Sequence, residues 1–191
     1  MRSFIALELP HPVVVALEDI QHRLRASVDC PASWVSPGGM HLTLAFLGDI
    51  ETERVEVIRP VLTDVCERMG SFKLKLAGAG AFPGSHRPEV IWIGLSGETE
   101  RLNHLHSNLW RNLAGVGFVP EKRPFHAHLT LARIRETASA DQRHELIETL
   151  DGVAPKATDL FQIDILTLWQ SQLRPAGAAY SRLSSCRLKA A

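Results

Sequence analysis

The chain has 191 residues, 45% of them hydrophobic and 22% charged, the balance of a globular protein with one substantial core. Lys plus Arg and Asp plus Glu number 21 each, so there is no excess of basic charge with which to coat a nucleic acid. No run approaches membrane-spanning length, and the apolar stretch Phe4–Leu7 behind Met1 is too short for an export signal. Any nucleic acid bound here is met locally, at a few phosphates or one end.

Phe4–Leu9 reads as a strand ended by Pro10. Val13, Leu17, Ile20 and Leu24 then recur at helical spacing, which predicts an amphipathic helix from about His11 to Arg25. A Pro/Ser/Gly loop leads into a second strand, Met40–Leu47. Thr52 suits the N-cap of the next helix, whose apolar face is Ile58, Val61, Leu62, Val65, Cys66 and Met69. Pro60 lies inside that pattern, so the helix either kinks there or starts later than Thr52. Phe72–Leu76 is a third strand. The order then repeats: strand Glu89–Leu95, a helix capped by Thr99 and carrying Leu102, Leu105, Leu109 and Leu113, strand His126–Arg133, and a helix with Leu146, Ile147 and Leu150. Strands at Phe161–Trp169 and Ala179–Leu188 close the chain. The expected fold is therefore α+β and bilobal, with two pseudo-symmetric strand–helix–strand–helix–strand units, repeat halves of roughly 1–84 and 85–191 within one domain. Cys30, Cys66 and Cys186 stand at unrelated spacings and read as reduced thiols of a cytoplasmic protein, with Cys66 packed on its helix.

One segment makes the repeat chemical. His41-Leu42-Thr43-Leu44-Ala45 and His128-Leu129-Thr130-Leu131-Ala132 are identical, and each occupies the second main strand of its round. Side chains alternate along a strand, so each His and Thr share one face while the leucines take the other and are buried. If an approximate two-fold relates the lobes, both His/Thr faces look into one cleft with antiparallel sheets on either side. Two imidazoles around a phosphate are the equipment for general acid–base hydrolysis: one takes a proton from water, the other gives one to the departing oxygen. Threonine hydroxyls can donate to the non-bridging oxygens, where transition-state charge gathers. No metal or cofactor is required. The fifth residue after each histidine differs: Phe46 in the first motif, Arg133 in the second. At odd spacing Arg133 faces away from the cleft unless a bulge, a strand end or a long reach returns it.

The paired His-x-Thr motifs resemble the 2H phosphoesterase superfamily, and within it the bacterial and archaeal RNA 2′,3′-cyclic phosphodiesterases, also called 2′-5′ RNA ligases or LigT-like proteins. The similarity extends over Arg2–Leu7, Trp34, His41–Gly48, Phe82-Pro83, Arg87-Pro88, Ile91–Gly94, His128–Arg133 and the tail residues Ser171, Leu173, Gly177 and Tyr180. It implies a cleft between pseudo-symmetric lobes and metal-independent hydrolysis of 2′,3′-cyclic phosphates on RNA ends or nucleotides to 2′-phosphomonoesters. It also implies His41 as general acid, His128 as general base, phosphate contacts from Thr43, Thr130 and Arg133, and an ATP-independent 2′-5′ joining of RNA ends. Ala127 departs from the proline usual before the second histidine. A cleft built within one chain implies a monomer with no obligate protein partner and no membrane.

The structural alternatives are specific. His126 with His128, or His104 with His106, raises the possibility of a metal site, but residues two apart on a helix do not face together and no acidic cluster completes either pair. His126 reads as a residue of the cleft edge or surface. Phe46, Trp92 and Trp169 read as core, Trp110 as partly exposed, and Phe82 and Tyr180 as packing. The rivals to the hydrolase are a metal-dependent phosphoesterase and an RNA-end binding module without turnover.

Overall fold

The computed structural model describes residues 1–155, 158–174 and 177–190; of Leu173, Arg174 and Gly177 it describes the backbone only. In chain order the elements are β1 (Arg2–Glu8), α1 (His11–Ser27), β2 (Ala32–Trp34), a 3₁₀ turn (Pro37–Gly39), β3 (His41–Asp49), α2 (Arg54–Arg68), β4 (Phe72–Phe82), β5 (Val90–Gly97), α3 (Thr99–Gly115), β6 (His128–Ile134), α4 (Ala140–Val153), β7 (Phe161–Ile163), β8 (Ile165–Arg174) and β9 (Gly177–Arg187). The fold is α+β. Its strands form two antiparallel sheets, in the orders β3-β1-β8-β9 and β2-β6-β5-β4-β7.

The alternation of β1 and the 3.6-residue stripes of the helices meet in one continuous core. α1 buries Val13, Leu17, Ile20 and Leu24, and α3 buries Leu102, Leu105, Leu109 and Leu113, all on the stripes that their spacing predicts. α4 begins at a capping box: the Ser139 hydroxyl accepts from the Gln142 N–H, and the Gln142 side chain accepts from the Ser139 N–H.

The two proposed threonine caps do not form. α2 starts two residues after Thr52, because Val55 and Glu56 give their N–H groups to the Thr52 and Glu53 carbonyls in a tighter turn, leaving no role for the hydroxyl. In α3 the cap position is Glu98, and Thr99 is already helical. Pro60 sits within α2 on its exposed side, where water can take the carbonyl left without an N–H partner.

The sheets do not follow the halves of the chain. β4 leaves the first half to pair with β5, and β8 and β9 of the second half pair onto β1. The segment expected as one strand over Phe161–Trp169 is two, broken at Asp164, so that β7 completes one sheet and β8 enters the other. β4 runs six residues past Leu76, through an irregularity where Ala77 and Gly78 stand against Gly94 alone and Gly78 takes a φ of 70°. Cys66 on α2 and Cys186 on β9 are joined as a disulfide, against the expectation of free thiols; Cys30 alone is free, and buried. Two cysteines distant in sequence meet because α2 packs on β8 and β9, a tertiary relation that spacing does not carry. Among the described residues, no helix is long and apolar enough to cross a membrane.

Candidate active site

The motifs lie on equivalent strands. β3 pairs with β1 and β6 with β5, so that Thr43 stands opposite Ala6, and Thr130 opposite Trp92. In both motifs the ladder then skips one residue: Ile5 pairs with Ala45 and Ile91 with Ala132, leaving Leu44 and Leu131 as bulges. A bulge shifts the alternation by one. His41, Thr43, His128 and Thr130 therefore face the cleft, both Leu-Ala pairs are buried, and the fifth residue after each histidine is turned back into the open. That is how Arg133 reaches the cleft, the bulge being one of the routes its odd spacing leaves. The same geometry overturns the reading of Phe46 as core, for it is 49% exposed on the cleft wall.

Each bulge carbonyl receives a side-chain donor from a helix, and that of Leu131 also accepts from the Val35 N–H at 2.9 Å. Gln21 of α1 is buried and donates from Nε2 to the Leu131 carbonyl at 2.8 Å and to the Val35 carbonyl at 2.9 Å. The Leu44 carbonyl accepts from the indole N–H of Trp110 at 3.3 Å, so Trp110 is buried rather than partly exposed. Neither donor was visible in the sequence, because each acts on a strand far away in the chain.

The cleft has two arms that share Thr43, Phe46, His128, Thr130 and Arg133. The larger, about 980 Å³, is walled by Phe46, Phe82, Pro83, Pro124 and Phe125. The smaller, about 580 Å³, holds His41 together with Arg2, Ser171 and Tyr180. All four motif side chains line this smaller space, so the two motifs converge.

Aromatic rings hold both imidazoles. Phe4 stacks on His41 at 4.6 Å and Tyr180 meets it edge-on at 5.3 Å. Tyr180 thus borders the site, in a position where a Cβ on Gly39 would approach its ring to 2.8 Å. Phe82 meets His128 edge-on at 4.9 Å, with Trp92 at 6.1 Å. Trp92 is on the histidine face rather than in the core. Its ring crosses Gly80, where a Cβ would come within 2.4 Å, so only glycine leaves the space.

Backbone carbonyls two residues upstream orient the rings. His128 Nδ1–H donates to the His126 carbonyl at 2.7 Å, which leaves Nε2 for the cleft. His41 has the corresponding hydrogen bond to the Gly39 backbone. Burial, which penalises the imidazolium, lowers His41 to about 4; the Gly39 bond opposes that, and His128 adds to it. Burial also holds His128 below 6.5, opposed by its bond to His126, with His126 and Arg133 adding repulsion. Glu8 stands opposite His41, but its carboxylate accepts from Thr167 at 2.6 Å and Arg182 at 2.8 Å. His126 is exposed at the cleft edge against Trp92, and among the described residues no three His, Cys, Asp or Glu side chains converge as a metal-ligand group.

The model of the 2′-5′ RNA ligase superfamily matches residues 12–174. The chain belongs to this superfamily. It is 34% identical to an RNA 2′,3′-cyclic phosphodiesterase of Aeropyrum pernix over 84% of this chain and 90% of that one. A Methanothermobacter thermautotrophicus protein of the same name is 30% identical over 98% and 99%. Among solved structures, a Thermus thermophilus protein superposes with a TM-score of 0.82 at 25% identity, covering 100% of this chain and 99% of that one. Escherichia coli LigT complexed with 3′-AMP gives 0.74 at 26%, covering 98% and 97%.

Two outcomes follow from this superfamily site. Replacing Gln21 by Leu leaves the Val35 carbonyl without its donor and the Leu131 carbonyl with the Val35 N–H alone, and costs about 1–3 kcal/mol, read from urea unfolding. In an NMR titration His41 changes charge near pH 4 and His128 below 6.5. Adding inorganic phosphate raises both values, since an anion between the rings favours the imidazolium.

Proposed function

We propose that this protein opens 2′,3′-cyclic phosphates at RNA ends, without a metal, to give 2′-phosphomonoesters. The observation that carries the reading is the convergence of His41, Thr43, His128, Thr130 and Arg133 on one cavity. The names of the curated relatives support it. Water attacks phosphorus while His128 Nε2 takes its proton; the P–O3′ bond breaks and His41 protonates the departing 3′-oxygen. Thr43, Thr130 and Arg133 hold the non-bridging oxygens, and the exposed ring of Phe46 offers a surface to the base. With the 5′-hydroxyl of a second RNA in place of water, the same displacement leaves a 2′-5′ linkage and needs no ATP. One chain supplies the whole cleft, which supports a monomer, acting in the cytoplasm on RNA or nucleotides.

The test is turnover of 2′,3′-cyclic AMP and a cyclic-phosphate-ended RNA, with and without EDTA. The expected product carries a 2′-phosphate, EDTA has no effect, and His41→Ala and His128→Ala each lower kcat by about 10²–10⁴. Loss of activity in EDTA points instead to a metal-dependent phosphoesterase, and tight binding without product to an RNA-end binding module. The pH profile has a definite sign. The reactive free enzyme holds one proton between two imidazoles, both depressed below 6.5. kcat/KM therefore peaks on the acid side of 6.5 and falls tenfold per unit above the higher of the two values. The kcat profile lies at higher pH, because bound phosphate raises both groups.

A further inference from the structure

The smaller arm carries a cation that the chemistry at the histidines leaves unused. Arg2 and Arg133 both line it, and the side chain of neither makes a hydrogen bond or ion pair among the described residues. β1 is unbroken on its own side of the ladder, so Arg2 shares the cleft face with Phe4, the residue stacked on His41. Two residues of strand separate Arg2 from Phe4, about 7 Å. Tyr180 lines the same arm, and both guanidiniums act electrostatically on its hydroxyl. The acidic residue that lines this arm is Glu121, at the mouth it shares with the larger one; Asp49, opposite Arg2 in the ladder, lies 3.9 Å from the N-terminal amine.

A cyclic mononucleotide brings one phosphate, and Arg133 beside His128 is placed to meet it. A second exposed guanidinium in the same channel, one strand step from the ring stacked on His41, calls for a second phosphate. We infer that Arg2 binds the 5′ phosphodiester of the nucleotide bearing the cyclic phosphate, and is the residue that favours a strand end over a free cyclic nucleotide. This rests on the cyclic-phosphate reading above. The arm has room for that extension, at about 580 Å³. A chain of zero net charge gains strand affinity from such single placed contacts and not from a broad field.

The experiment compares kcat/KM for a short RNA ending in a cyclic phosphate with that for 2′,3′-cyclic AMP, in wild type and Arg2→Gln. A charge-assisted contact predicts that the oligonucleotide-to-mononucleotide ratio falls by about tenfold or more in the variant. The dependence of log(kcat/KM) on log salt for the oligonucleotide becomes shallower by about 0.7. A neutral methylphosphonate at that one linkage gives the same loss in wild type and no further loss in Arg2→Gln. An unchanged ratio, or additive losses from the variant and the methylphosphonate, overturns the assignment. Wild-type protein that turns over neither substrate defeats the cyclic-phosphate reading instead. The Arg2 contact is then decided by fluorescence anisotropy of a 2′-phosphate-ended RNA: weaker binding by Arg2→Gln sustains it, and equal binding overturns it.

Discussion

Everything at the site depends on two carbonyl groups that leave the ladder. A bulge at Leu44 or Leu131 exposes a backbone acceptor inside an apolar core, and an unpaired buried carbonyl costs about 1–3 kcal/mol. Trp110 supplies the donor at Leu44, the Leu131 carbonyl takes the Val35 N–H and Gln21 together, and each of the two side chains ties a helix to the strand that carries a histidine. The bulge also decides which side chain comes next into the cleft. Without it the fifth residue after each histidine would be buried, and the cavity would hold neither Phe46 nor Arg133.

The two lobes agree on the histidine and threonine of each motif and differ on what surrounds them. Equivalent positions hold Phe46 and Arg133, Ala6 and Trp92, Glu8 and Gly94. The shared part is desolvation: rings pressed against aromatic neighbours and tied through a backbone carbonyl are both kept neutral in the empty site. The unshared part supplies direction, since an aromatic face on one side and a guanidinium on the other present different partners to an asymmetric ligand. Imidazoles held neutral by burial also respond to what is bound, because an anion between them favours their protonated form.

Much of this was legible in the residues. The identical pentapeptides located both strands and both faces, because period-two alternation and buried leucines leave few other arrangements. The stripes of α1 and α3 were equally readable. What escaped was non-local. A bulge depends on the partner strand, so Phe46 was misplaced and Arg133 was open to several routes. The position of Trp92 depends on Gly80 across the sheet, and that of Trp110 on an acceptor in β3. Asp164 looks like the middle of one apolar strand until two sheets compete for its ends, and Cys66 finds Cys186 only once α2 lies on β9.

The exchange of strands between the lobes bears on how the protein is made. Of these nine strands β1 is made first, yet it is an interior strand: β3 covers one edge and β8, beginning at Ile165, covers the other. Through most of synthesis the apolar run Phe4–Leu7 has one open edge, of the kind that recruits other chains. The nascent chain must shield that edge until β8 is available. Tyr180, on the following strand, joins His41 only at the end, so the cleft closes around its first histidine when the last two strands arrive.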